Sequence, residues 1–243
     1  MTTLSVNVNK VATLRNARGK NLPDVVETAK KLVQYGAQGI TVHPRPDGRH
    51  IRWDDVAALK EAITTVELNI EGYPSHDFVN KTIDTVPAQC TLVPDPPHAL
   101  TSNAGWRLQG NEKILQGAIP ILKEKGIRIS LFVDPAHITT QELLDFRDMG
   151  VDRVELYTEA YADAYGTPKQ NEVTQSYLKC AELADSMGLE INAGHDLNLH
   201  NLKFLVQHVP YIKEVSIGHA LVADALEFGW LATVQKYLAC LKP

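Results

Sequence analysis

The chain has 243 residues, 44% of them hydrophobic and 22% charged, with 29 acidic against 24 basic side chains and a formal charge of −5. The length lies near the upper limit for one hydrophobic core and no Ser-, Gly- or Pro-rich linker divides it, so a single domain over 1–243 is expected. The acidic balance excludes the basic footprint of a nucleic-acid binder, and with no long apolar run and no charged-then-apolar amino terminus, neither a membrane span nor a secretion signal is expected, leaving the cytoplasm as the expected compartment.

From the amino terminus, Ser5 and Asn7 alternate with Val6 and Val8. Successive strand side chains point to opposite faces, so this segment carries one apolar and one polar face. From Leu22 to Tyr35, apolar residues at Leu22, Val25, Val26, Ala29, Leu32 and Val33 have helical spacing, with Pro23 near the start and Gly36 past the end. A second strand sets Ile40 and Val42 against Thr41 and His43, a third sets Leu68 and Ile70 against Glu67, Asn69 and Glu71, and a fourth lies near Cys90 to Val93. In the fifth, Ile129, Leu131 and Val133 oppose Ser130 and Asp134; in the sixth, Val154 and Leu156 oppose Glu155 and Tyr157. The seventh sets Ile191 against Glu190 and Asn192, and the eighth sets Val215 and Ile217 against Ser216 and Gly218. Gly126, Gly150 and Gly188 each stand between a helix and a strand, where glycine can close the helix in a left-handed conformation.

Eight strands alternating with helices over 243 residues predict an α/β fold, a (β/α)8 TIM barrel. A doubly wound open sheet would usually place a glycine-rich turn after its first strand, whereas here Asn7 leads into Asn9, Lys10 and Val11. Helices cover the apolar faces, so the polar faces must line the barrel interior. Cys90, Cys180 and Cys240 are odd in number and far apart, which fits packing residues better than a disulfide framework or a zinc site.

Active sites in such barrels form at the carboxyl ends of the strands. There the second strand ends in His43-Pro44-Arg45, followed closely by Arg49 and His50, and the third ends in Glu71. Histidine titrates near neutrality and a partly buried carboxylate is pushed toward it, so the pair could pass protons both ways. Gly194-His195 and Gly218-His219 follow the seventh and eighth strands. Glycine lets backbone N–H groups approach an anion, and the helix start beyond favours negative charge. Each feature alone fits a structural role, a hydrogen-bonded histidine or a glycine that turns the chain. Their convergence on one barrel mouth points to chemistry.

The run NVNKVATLRNARG from Asn7 to Gly19, with GITVHPRPDGRHI, LNIEGYP, INAGHDL and SIGHAL, resembles the pyridoxine 5'-phosphate synthase family of vitamin B6 biosynthesis, from Asn7 to the last helix. The resemblance implies a barrel with additional helices, accounting for Pro94 to Gly110 and Thr158 to Met187, and a homo-octamer built from dimers. It implies a ring-closing transferase that condenses 1-deoxy-D-xylulose 5-phosphate with 3-amino-2-oxopropyl phosphate, releasing inorganic phosphate and water, without metal or organic cofactor. By the same likeness His43 and Glu71 are bases and His195 a proton donor. Asn7, Arg18, Asp196 and the Gly218-His219 step would hold the aminoketone phosphate, and Arg45, His50 and Thr101 the deoxyxylulose phosphate. The segment Val93 to Trp106, rich in Pro and polar residues, is the expected lid.

Two departures qualify the likeness: many members have Asp-His where this chain has Asn9-Lys10, and glycine where it has Asp196. Asn9 and Lys10 are still expected at the substrate, Lys10 as a permanent cation. Asp196 is expected to restore the lost negative charge or to offer its backbone N–H. The inward polar residues are expected to conduct released water. Two other readings stay open: a divalent-metal-dependent sugar-phosphate isomerase or hydrolase using His43, Glu71, His195 and His219 as ligands, and a non-enzymatic binding module.

Overall fold

In a computed structural model describing residues 1–95 and 104–242, eight parallel strands pair in chain order and close, the last against the first. β1 (Thr3–Asn7) is followed by a short helix, α1 (Asn9–Asn16), and then by α2 (Val25–Gln34). The chain continues through β2 (Gly39–Val42), α3 (Trp53–Ala62), β3 (Glu67–Gly72), α4 (His76–Thr85), β4 (Gln89–Leu92), α5 (Glu112–Glu124) and β5 (Arg128–Val133). The second half comprises α6 (Thr140–Asp148), β6 (Arg153–Tyr157), α7 (Glu159–Ala164), α8 (Gln170–Ser186), β7 (Glu190–Gly194), α9 (Leu202–His208), β8 (Ile212–Ile217), α10 (His219–Phe228) and α11 (Trp230–Cys240). No helix among the described residues is long and apolar enough to cross a membrane.

The strand alternation has the expected consequence. Val6, Ile40, Ile70, Cys90, Leu131, Val154, Ile191 and Val215 are fully buried in the main apolar core. The opposite parity builds a polar column inside the ring. Ser5 Oγ lies 2.7 Å from Thr41 Oγ1, Asn69 Nδ2 donates to Thr41 Oγ1 at 3.4 Å, and Thr91 Oγ1 donates to Asn69 Oδ1 at 3.1 Å. At the amino-terminal end, Gln89 Oε1 accepts from Arg128 Nε (2.9 Å) and Arg153 Nη1 (3.1 Å), while these arginines pair with Glu67 and Glu190. The interior is not polar throughout, however. Val93, Phe132 and Tyr157 form an apolar cluster of their own, with the two rings 5.3 Å apart.

Two element ends differ from expectation. The helix expected from Leu22 begins at Val25, because Asp24 adopts an extended conformation and its Oδ1 accepts the Glu27 N–H at 2.9 Å, while Leu22 is exposed. The stretch Thr158 to Met187 holds α7 and α8 as expected, but the described parts of Pro94 to Gly110 contain no helix. Residues 96–103, most of the expected lid, lie outside the described residues; its far end is pinned. Trp106 is buried, its Nε1 donating to Leu92 O at 2.8 Å and its N–H to Phe132 O at 2.7 Å. Gly105 permits this crossing, since a Cβ there would sit 2.1 Å from Asp134 N. All three cysteines are free thiols, and Cys90 and Cys180 are buried as packing residues.

Gly126, Gly150 and Gly188 end their helices at φ +73°, +94° and +82°. At the end of α4 the same left-handed position is filled by Val86 at φ +48°, a conformation disfavoured for a β-branched residue. Val86 is substantially exposed, so little packing is lost on replacement. Val86→Asn should therefore stabilise the fold by about 1 kcal/mol, read as a raised denaturation midpoint; an unchanged or lowered midpoint would show that this turn carries no strain.

Candidate active site

The carboxyl ends of the strands open into one cavity of about 850 Å³. Asn7, Asn9, Lys10, His43, Arg45, His50, Glu71, His195, Asp196, Gly218 and His219 all line it. Arg18, exposed just beyond α1, does not, and Thr101 lies outside the described residues.

His43 follows directly on β2, and its backbone N–H donates to Asn9 Oδ1 at 2.9 Å. Asn9 is itself braced, its N–H donating to Asn7 Oδ1 at 3.0 Å, so the first strand end aligns the second. His43 Nδ1 lies 3.9 Å from Glu71 Oε2, which also accepts from Asn7 Nδ2 at 3.4 Å. Burial, followed by the charge of Arg45 and by the neighbouring His50 and Arg49, holds the His43 imidazole well below its ordinary range. Burial lifts the Glu71 carboxyl to about 8; Arg45 opposes the shift, and Asp95 and Glu214 add to it. Near neutrality the pair is thus a neutral imidazole beside a mostly protonated carboxyl whose ionisation lies within reach of that pH, so a proton can be both given and taken back.

Beneath this pair lies Glu155, read from the sequence only as an inward polar residue. Burial and the charges of Glu71 and Glu214 push its carboxyl well up, and Thr91 Oγ1 donates to it at 3.4 Å. Its position explains Gly194, where a Cβ would stand 2.4 Å from Glu155 Oε1. Gly218 has a similar reason, since a Cβ there would meet Asn7 Cβ at 3.0 Å. Both glycines therefore provide room for a neighbouring polar side chain, and neither takes a left-handed turn.

At the rim beyond β2, Arg45 Nη2 lies 3.6 Å from Asp95 Oδ2, both side chains buried. The loop carrying His50 is clamped to α1: Arg15 pairs with Asp55 and donates to His50 O at 3.3 Å, and Asn16 Nδ2 donates to the same carbonyl at 2.8 Å. Burial, then Arg45, Lys10 and Arg49, pushes His50 down to about 4. Its Nδ1 accepts the Ile51 N–H at 3.0 Å, so the neutral ring carries its proton on Nε2. Arg15 is a site-supporting residue that sequence reading missed, because its partner is 40 positions away.

His195 caps the other wall. Its ring stands on edge against Tyr157 at 4.9 Å, and Thr158 Oγ1 donates to the carbonyls of Gly194 (2.8 Å) and His195. Asp196, expected to offer its backbone, turns its carboxylate to His195, with Oδ2 2.8 Å from Nδ1. Among the described residues no three His, Cys, Asp or Glu side chains come together as a metal-binding set, so the ligand group that the metal-dependent reading needs is not assembled.

A closed parallel barrel whose mouth gathers neutral imidazoles, carboxyls held toward or above neutrality and buried guanidinium groups defines a barrel enzyme that works by moving protons. The family described as "Pyridoxal phosphate biosynthesis protein PdxJ" matches residues 4–243, and the chain belongs to it. The pyridoxine 5'-phosphate synthase of Flavobacterium johnsoniae is 50% identical, with 100% of each chain covered. That of Porphyromonas gingivalis is 52% identical, with 98% of each chain covered. Among solved structures, a 3-hexulose-6-phosphate synthase superposes with a TM-score of 0.68 at 11% identity, covering 99% of this chain and 100% of that one. Tryptophan synthase subunit alpha from Legionella pneumophila superposes with a TM-score of 0.67 at 15% identity, covering 99% of this chain and 92% of that one. These two share the fold alone.

The raised Glu71 carboxyl has a consequence for stability. Folding disfavours its ionised form, so its unfavourable contribution is absent below the ordinary 4.5 and grows as pH rises toward about 8. Thermal melts across that window should show Glu71→Gln losing less stability with rising pH than the parent chain. Parallel curves would mean that Glu71 ionises freely in the fold.

Proposed function

We propose that this chain condenses 1-deoxy-D-xylulose 5-phosphate with 3-amino-2-oxopropyl phosphate to form pyridoxine 5'-phosphate, inorganic phosphate and water. The observation that carries this reading is the His43–Glu71 pair, 3.9 Å apart with the carboxyl held near 8, in a cavity bordered by cations on one side and a helix amino terminus on the other. The amine adds to the ketone and loses water as an imine. The phosphate group of the deoxyxylulose part leaves as inorganic phosphate, water adds, and an aldol-type closure precedes aromatisation. Each step moves a proton, which suits His43 and Glu71 as bases and His195 as donor, without metal or organic cofactor. A positioned acid or base contributes roughly 10² to 10⁴ in rate. Glu155, its carboxyl pushed up by burial, lies beneath Gly194 at the floor of the same cavity. Arg45, His50 and Thr101 hold the deoxyxylulose phosphate. Asn7, the residue after His195 and the Gly218-His219 step at the start of α10 hold the other phosphate, whose charge a helix amino terminus favours, and Lys10 adds a fixed positive charge.

The polar column offers departing water a hydrogen-bonded route. Ser130 Oγ and Asn192 Oδ1 within it have no protein partner among the described residues, which supports solvent inside the ring. Leu14, Leu226, Phe228 and Leu231 are exposed apolar residues on α1, α10 and α11, which lie side by side on one flank. This flank supports assembly of the chain with copies of itself, as an octamer built from dimers, in the cytoplasm.

Mixing both phosphorylated substrates with the purified protein should yield pyridoxine 5'-phosphate and phosphate in the presence of chelator. His43→Ala should lose roughly 10²-fold or more in kcat with its circular dichroism unchanged. Activity abolished by chelator and restored by a divalent ion would favour the metal-dependent reading, and an active His43→Ala would remove the acid–base reading. Asn69→Leu should fold and turn over more slowly; normal turnover would sink the water route. Light scattering should give a particle of about eight times the 26.9 kDa chain mass, and a monomer would refute the assembly.

A further inference from the structure

His195 and Asp196 are consecutive residues in the left-handed region, at φ +85° and +57°. Such backbone is disfavoured for any side chain with a Cβ and persists where the surroundings impose it. Glycine would fill position 196 with less strain, so an aspartate there needs a reason. Its carboxylate supplies one. Thr158 fixes the backbone of Gly194 and His195, and the Tyr157 ring fixes one edge of the imidazole. What remains unfixed is the rotation of the ring and the choice of nitrogen that carries the proton. Among the described residues, Asp196 Oδ2, 2.8 Å from Nδ1, is the only hydrogen-bond partner of that ring.

We infer that the Asp196 carboxylate is a positioning residue for His195: it accepts the Nδ1–H, sets the tautomer and leaves Nε2 to exchange a proton with substrate. This rests on the proposed role of His195 as proton donor. In the charged ring both nitrogens carry protons and Asp196 faces the imidazolium. When the Nε2 proton passes to the leaving oxygen, the ring becomes neutral with its remaining proton on Nδ1, still held by Asp196, so the next proton returns to Nε2. The arrangement has the logic of a carboxylate that orients a histidine without itself reacting. Other groups also face this corner. Tyr157 donates to Glu159 and feels Asp134, Glu155 lies beneath Gly194, and Asp163, Lys10 and His219 border the same cavity.

The test uses the full chain with Asp196→Gly, Asp196→Asn and His195→Ala, measuring kcat and both KM values across pH, melting temperature, and the ¹⁵N shifts of the His195 ring. Asp196→Gly should melt no lower than the parent, because the left-handed backbone is relieved, yet lose about 10-fold in kcat with both KM values within about twofold. The kcat–pH profile should change, and the ¹⁵N shifts should report loss of the single Nδ1–H tautomer. Asp196→Asn, which keeps an acceptor without the charge, should fall between the two. Parent-like kcat and pH profile in both Asp196 variants, with His195→Ala inactive, would overturn the positioning role alone. A change confined to the KM of the aminoketone phosphate would overturn it as well, showing that Asp196 acts on substrate. A fully active His195→Ala would instead overturn the donor role of His195 and this inference with it.

Discussion

Closure of eight strands into a ring forces half of each strand's side chains into a space that no helix covers. Here much of that space is polar, and it holds carboxyls at several depths: Glu214 low, Glu155 in the middle and Glu71 at the mouth. Each is withdrawn from water, and Glu214 raises both Glu71 and Glu155 through its charge. The chemistry at the top therefore depends on what lies beneath. A carboxyl near neutrality at Glu71 is a property of the whole interior, with Arg45 opposing the shift at the rim.

The same crowding accounts for the glycines. Gly194 and Gly218 look like anion-binding turns, but their immediate task is to leave room for Glu155 and Asn7. The two purposes are compatible. A residue without a side chain lets a polar group approach from below and leaves its own N–H accessible from above. The apolar trio of Val93, Phe132 and Tyr157 forms an apolar wall on the β4 to β6 side of the opening.

Strand parity in the sequence was enough to place His43, Glu71 and the Gly-His steps at one mouth, because a period of two is local and strong. The start of α2 was not legible, since Pro23 suits the first helical turn and only the extended Asp24 shows that the helix begins two residues later. Glu155 was visible as inward-facing, but its role comes from depth beneath Gly194, which needs the closed ring. Arg15 and Asn16 brace the His50 loop through contacts across more than 30 positions, beyond any local pattern. The contact between His195 and Asp196 joins neighbours in sequence, yet it depends on two successive left-handed residues, a backbone course that the strand pattern before them does not announce.

The ring is sewn shut by its two ends. β8 lies against β1, and Thr2 Oγ1 donates to Ile212 O across 210 positions. Asn7, Asn9 and Lys10 near the start of the chain and Gly218 and His219 near its finish share one cavity wall. A ribosome must therefore release nearly the entire polypeptide before this wall can form, and a chain cut short before β8 would lack both the closed ring and the Gly218-His219 side of the site.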